Sequence, residues 1–226
     1  MTQEEERNLK RLRCKMVRIT SFSDTHGEHR SEKFTKWFFD NPSDILVFAG
    51  DLQGARTDNG LDFLRWVHEL PYEKKIISFG NHDSSYAMVT HEAKNYKDVV
   101  VLNQSGARVM GVNFFGSPYS LTFCNWWFMG SEIELSDLYS KIPNSTQVLI
   151  THTPAYGILD AARNGYHCGS ESLAARIKEL PRLKYHVCGH IHEGYGRIKQ
   201  GKLTYINSAV LDGEYHFSHL PQQFKC

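Results

Sequence analysis

Five short apolar runs in this 226-residue chain each end in side chains that ligate metal ions. VRITSFS runs into Asp24-Thr25-His26, DILVFAG into Asp51, KIISFG into Asn81-His82-Asp83, QVLIT into His152, and YHVCG into His190-Ile191-His192. Runs of this length and β-branched content read as buried strands. Between the first three runs lie two segments of helical period. Residues 31–41 place Phe34, Trp37 and Phe38 on one face, and residues 58–70 do the same with Leu61, Leu64 and Trp66-Val67. Strand–helix–strand–helix–strand order implies parallel strands joined by crossover helices. In an open α/β sheet the site lies beyond the carboxyl ends of the strands. Five donor clusters at five such ends would therefore converge.

The rest of the chain departs from that alternation. Residues 99–102 and 108–115 read as strands, with Gly106 and Gly111 as turn or bulge signals. An aromatic-rich loop spans 116–130, and residues 131–142 read as a helix that Ser131 and Glu134 can cap as an S-x-x-E box. A strand at 147–150, a helix at 170–180 and a strand at 185–188 follow. The last expected element is a hairpin, 195–199 with 203–207, turning at Gln200-Gly201. The expected core is α/β with added antiparallel strands in a second sheet.

Bulk properties narrow the function classes. A net charge of +1 supplies no global field for long nucleic acid or a membrane surface. No stretch approaches the roughly 18–20 apolar residues of a membrane span, and the N-terminus lacks the apolar segment of a secretory signal. Five cysteines without a C-x-x-C pair point to free thiols in a reducing, cytoplasmic setting. The expected organisation is a charged extension over 1–16, carrying Lys10, Arg11, Arg13 and Lys15, followed by a single domain over 17–226.

The donor types agree with one another. Asp, Asn and His supply oxygen and imidazole ligands suited to Mn, Mg, Fe(II) or Zn rather than to thiolate metals. Seven candidates, Asp24, His26, Asp51, Asn81, His152, His190 and His192, are enough for two ions. Two cations roughly 3.5–4 Å apart repel strongly, so a carboxylate should lie between them. Asp51, a short acid directly after Gly50, is the candidate for that bridge. Each motif alone is weak, but their joint order at strand ends is not.

These motifs, Ser23–His26 (SDTH), Gly50–Asp51 (GD), Gly80–Asp83 (GNHD), Thr151–His152 (TH) and Gly189–His192 (GHIH), resemble the calcineurin-like metallophosphoesterase superfamily over roughly 17–207. FFGSPYS, CGHIHEGYG and TYINSA are similar to metallophosphoesterase-domain-containing proteins related to class III cyclic-nucleotide phosphodiesterases. The resemblance implies a four-layer α/β/β/α sandwich with two mixed β-sheets. It implies one metal on Asp24, His26 and His192, a second on Asn81, His152 and His190, and Asp51 bridging them. Two divalent ions, with manganese favoured, would activate a shared hydroxide.

On this reading His82 is the general acid at the leaving group and Asp83 orients it. The aromatic loop reads mainly as core, with Tyr119 the best-placed exception for stacking a nucleobase. His167, before the helix start at Ser170, is a further candidate for substrate contact through backbone N–H groups. The expected function is a phosphodiesterase acting on a small, cyclic-nucleotide-like phosphate ester. One alternative is a phosphomonoesterase, including a protein phosphatase, but Gly50-Asp51-Leu52-Gln53-Gly54-Ala55-Arg56 fails the G-D-x-x-D-R-G pattern at the second Asp. The other is a nucleotide-binding scaffold with little turnover, which the intact donor set disfavours.

Overall fold

The computed structural model describes residues 16–54 and 59–226. The basic cluster of the expected extension, together with Cys14, Arg56 and Asp58, lies outside the described residues. The chain opens with β1 (Arg18–Phe22), α1 (Glu32–Asp40), β2 (Ile45–Ala49), α2 (Gly60–Glu69), β3 (Lys74–Ser78), α3 (Tyr86–Glu92) and β4 (Val99–Val101). It continues with β5 (Ser105–Val109), β6 (Val112–Ser117), the short β7 (Ser120–Leu121) and β8 (Met129–Gly130), and α4 (Glu132–Ser140). The remaining elements are β9 (Val148–Thr151), α5 (Glu171–Glu179), β10 (Tyr185–Cys188), β11 (Gly196–Gln200), β12 (Leu203–Asn207) and β13 (Gln222–Lys225).

Two large sheets result. One has the order β13-β1-β2-β3-β4, parallel except for the edge strand β13. The other has the order β11-β12-β10-β9-β6-β5, parallel at its centre and antiparallel at both edges.

Side-chain alternation along the strands builds the layers. In β2, Ile45, Val47 and Ala49 point into the space between the sheets, while Leu46 and Phe48 point outward. The outward residues pack with Phe34 and Phe38 of α1, Phe63 and Trp66 of α2, and Val89 of α3. In β9, Val148 and Ile150 face the first sheet, whereas Leu149 meets Leu135 and Tyr139 of α4 and Leu173 and Ile177 of α5. Helices therefore cover the outer face of each sheet, and the architecture is the four-layer α/β/β/α sandwich that the resemblance implies.

Local signals act where the sequence places them. Ser131 accepts from the Glu134 N–H and Glu134 reaches back to the Ser131 N–H, so the capping box at the start of α4 is complete. Ser170 caps α5 through the Leu173 N–H. The strand expected over 108–115 is instead two strands. Met110 and Gly111, at φ 48° and 86°, form a tight turn, and Val109 pairs with Val112 across it. The short helix α3 and the strand β13 carry no periodic signal. β13 is QQFK, and only Phe224 is buried, yet it adds to the free edge of β1.

Phe22, the last residue of β1, lies 4.9 to 6.4 Å, centroid to centroid, from Phe34, Phe38, Phe48, Phe63 and Trp66. It anchors the outer core directly beneath Ser23-Asp24. Phe22→Ala should lower the unfolding free energy by about 3–5 kcal/mol, read from urea denaturation.

Candidate metal centre

Parallel order aligns the carboxyl tips of β1, β2 and β3 along one edge of the first sheet, and those of β9 and β10 along one edge of the second. The segment after β12 joins the two edges. The Ser208 N–H donates to Cys188 O in the second sheet, and the Ser23 N–H donates to Ser208 O in the first. Neighbouring tips also interlock, through Asp24 N–H to Gly50 O and His26 N–H to Asp51 O.

The backbone turns sharply at these tips. Asp24, His26, Asp51 and His190 adopt φ of 55°, 43°, 59° and 68°. Non-glycine residues in this left-handed region cost of order 1–3 kcal/mol each and cluster at functional sites. Two glycines allow the close approach that follows. Gly50 has φ 101°, and a Cβ there would stand 2.6 Å from both His152 Nδ1 and Phe79 O. A Cβ on Gly80 would press on Asp51 and on His152 Cε1.

The seven sequence-predicted donors converge. His26 Nε2 lies 3.3 Å from His192 Nε2, and His192 Nε2 lies 3.6 Å from Asp24 Oδ1. His152 Nε2 lies 2.9 Å from Asn81 Oδ1 and 3.3 Å from Asp51 Oδ2. Asp24, His26 and His192 form one group of ligand atoms within 4.8 Å of one another, and Asp51, His152 and His190 form another. Asp51 Oδ2 is also 3.7 Å from His26 Nε2, so this carboxylate stands between the two groups. Ligands about 2.0–2.2 Å from a shared ion are themselves about 3–3.5 Å apart, which matches the shorter spacings.

The imidazoles are aimed from behind. His26 Nδ1 faces Gln53 O at 3.2 Å, His152 Nδ1 faces Ala49 O at 3.0 Å, and His192 Nδ1 faces Asp212 O at 2.8 Å. A carbonyl only accepts, so each Nδ1 carries the proton and each Nε2 turns its lone pair to the centre when the ring is neutral. Metal-binding histidines are characteristically held this way. The described residues thus fit a pair of divalent cations.

Electrostatics agree. Burial alone would raise Asp51 and Asp24, but His152 and His192 hold both below the usual carboxylate range. Burial pulls His152 and His192 down, yet the facing Asp51 and Asp24 carry both rings up to about 9. His26 falls to about 4 and His190 to about 3, chiefly through burial.

The Asp83 carboxylate bonds to backbone and not to the His82 ring. It accepts the N–H groups of Gly80, Asp51, Leu52 and Gln53, clamping the tip of β3 to that of β2. Burial, and next the Asp51 charge, push this carboxyl up to about 8, against those donors. His82 donates its backbone N–H to Asp51 Oδ1 at 2.9 Å, and its Nε2 lies 3.9 Å from Asp51 Oδ2. With His26 and Asp51 it makes a third group of potential ligands.

The expectation for the aromatic loop is inverted. Tyr119 stands edge-on to Phe128 and joins the core beneath α4 and α5. Phe123, Trp126 and Trp127 are exposed on the crossover that joins the short parallel strands β7 and β8. His167 pairs through Nδ1 with Asp160 Oδ1 at 2.7 Å and belongs to none of the donor groups among the described residues. His186, on the central strand β10, is buried and within 2.7 Å of Thr151 Oγ1. Sequence reasoning missed Tyr215, at φ 62°, whose ring lies 4.9 Å from His26 and 5.3 Å from His192. No spacing marks it, since it arrives on a loop beyond the last strand of the second sheet.

A family model described as calcineurin-like phosphoesterase matches residues 17–194, and the chain belongs to that family. Human metallophosphoesterase domain-containing protein 1 is 29% identical over 230 residues, covering 88% of this chain and 68% of its own length. Two solved structures share the fold. An archaeal phosphodiesterase has a TM-score of 0.53 at 14% identity, covering 93% of this chain and all of its own. A dimetal phosphatase from Danio rerio has a TM-score of 0.52 at 12% identity, covering 92% of this chain and 91% of its own.

Below pH about 9, protons on His152 and His192 compete with a cation for Nε2. Manganese binding to the metal-stripped protein should therefore release protons at pH 7 and tighten as pH rises toward 9. Calorimetry in buffers of different ionisation enthalpy measures the release.

Proposed function

We propose that this chain hydrolyses small phosphodiesters. Asp24, His26 and His192 would hold one divalent cation, Asn81, His152 and His190 a second, and Asp51 would touch both. Bound there, the cations would neutralise charge on the phosphate oxygens and activate a water. Manganese is the proposed metal, on the resemblance; the carboxylate and amide oxygens suit it, and the imidazoles suit iron and zinc as well.

The observation that carries the diester reading is the lining of the adjoining cavity. It is about 250 Å³, and its walls are His26, Glu28, Gly54, His82, Leu211 and Tyr215. Among these described residues there is no Lys or Arg, and Glu28 adds a carboxylate. A phosphomonoester carries about one more negative charge than a diester near neutral pH. Among the described lining residues, a lack of Lys and Arg together with an acid favours the singly charged ester. The fold alone makes no such choice, since a phosphodiesterase and a dimetal phosphatase both share it.

His82 is the proposed proton donor to the leaving oxygen. It lines this cavity and is tied to Asp51 through its backbone, which leaves the ring to face a substrate. Asp83 acts at one remove, by fixing the loop from which His82 projects. We assign residues 17–226 to one domain, because strands from both ends of that range, β1 and β13, pair in one sheet. The described cysteines, Cys124, Cys168, Cys188 and Cys226, are free thiols, which supports a reducing, cytoplasmic setting.

With manganese restored to stripped protein, bis-p-nitrophenyl phosphate and cyclic nucleotides should turn over faster than p-nitrophenyl phosphate. A preference for the monoester would overturn the diester reading. His82→Ala should lower kcat by about 10²–10⁴-fold and leave metal content nearly intact. Lost metal with unchanged turnover per bound ion would instead make His82 a ligand.

A further inference from the structure

Aromatic rings in a folded chain normally bury their faces, and Phe128 does so against Phe79, Tyr86 and Tyr119. Three rings of the same loop do not. Phe123 is 57% exposed, Trp126 43% and Trp127 47%, and the first two stand beside the donor groups. The Trp126 ring lies 4.2 Å from the His82 ring at 48°. Phe123 meets Trp126 edge-on at 5.3 Å and lies 5.6 Å from the His190 ring. An apolar surface therefore begins at the ring proposed to protonate the leaving group and continues past a proposed ligand.

The loop is registered on the donor segment itself. The Trp127 N–H donates to Asn81 O at 3.1 Å, so the backbone beside Trp126 is tied to the residue before His82. At the stem, Ser120 N–H donates to Phe128 O at 2.9 Å and Thr122 N–H donates to Gly130 O at 3.0 Å. Trp127 itself lies against Tyr86 at 5.6 Å and has no ring contact with the donor histidines among the described residues. Adjacent tryptophans on one loop thus have different neighbours, and only Trp126 adjoins the site.

We infer that Trp126, with Phe123 edge-on behind it, is the platform on which a nucleobase of the substrate stacks, making these two side chains specificity-determining residues. The inference rests on the phosphate-ester reading of the neighbouring donors. A base offers a flat apolar face to the indole while its polar edge stays in water, which matches a ring left about half exposed. An aliphatic ester arm has no such face and would gain only contact area. The occupant is thereby a nucleotide rather than a glycerol- or alkyl-type phosphate ester.

Equilibrium binding of adenosine 5′-monophosphate and ribose 5-phosphate to the manganese-loaded full chain tests this without turnover. The wild type should bind the adenine-bearing compound at least about tenfold more tightly (~1.4 kcal/mol), within the range of base–aromatic stacking. Trp126→Ala should shrink that preference to about twofold or less. Trp126→Phe, which keeps a ring, should restore most of it, and Trp127→Ala should retain it. A wild type that binds both compounds equally would overturn the inference. So would a Trp126→Ala variant that keeps the preference, or equal losses from Trp126→Ala and Trp127→Ala. A full base preference in a protein that hydrolyses no ester in the panel would sink the hydrolase reading and leave the platform standing.

Discussion

The carboxylate of Asp51 is the point on which the rest of the structure depends. One oxygen lies 3.3 Å from His152, 3.7 Å from His26 and 3.9 Å from His82, and the other accepts the His82 N–H. Asp51 and Asp24 are both buried, and buried charge is stable only beside opposite charge. Imidazolium rings or divalent cations can supply that charge, and the two compete for the same nitrogens. The site is therefore a cage of fixed negative charge that fits a pair of cations. Reaching such density needs backbone at close quarters. Gly50 and Gly80 stand where a side chain would strike His152, and left-handed turns swing the donors inward.

Strain of this kind persists only if the surroundings hold it. Asp83 does part of the holding, by gathering N–H groups from both tips. Phe22 and its ring of aromatic neighbours support the β1 tip from below. The segment from Asn207 to Val210 joins the sheets at the same level, with the Asn207 amide bonded to Gly189 O and Ile191 O on either side of His190. Packing, backbone clamp and site form one mechanical unit.

The donors come from strand tips of both sheets, while the groups that would meet the organic part of a substrate sit on loops. Trp126 and Phe123 project from the loop between β7 and β8, and Tyr215 from the turn that the Asp212 side chain organises through the N–H groups of Glu214 and His216. The carbonyl of the same Asp212 steadies His192, so that turn serves the donor group and the cavity wall together. A rigid scaffold with variable loops explains how one architecture carries both a phosphodiesterase and a phosphatase among its structural neighbours.

Much of this was legible beforehand. The strand tips and their seven donors can be read from the chain, because alternation, turn residues and ligand types are local properties. The capping box at Ser131 is equally local. Other features were not legible, since each depends on segments far apart in sequence. His26 meets His192 across 166 positions, and Asp83 finds its partners on another strand tip rather than in its neighbour His82. Which aromatics face the site followed from the course of the crossover between the parallel strands β7 and β8, and no composition rule separates Tyr119 from Trp126. The sequence alone determined which residues can hold cations and at which strand ends they lie. Only the tertiary structure decided which of these donors stand together and which side chains line the adjoining cavity, because those depend on the joining of two sheets and on loops whose course no local pattern encodes.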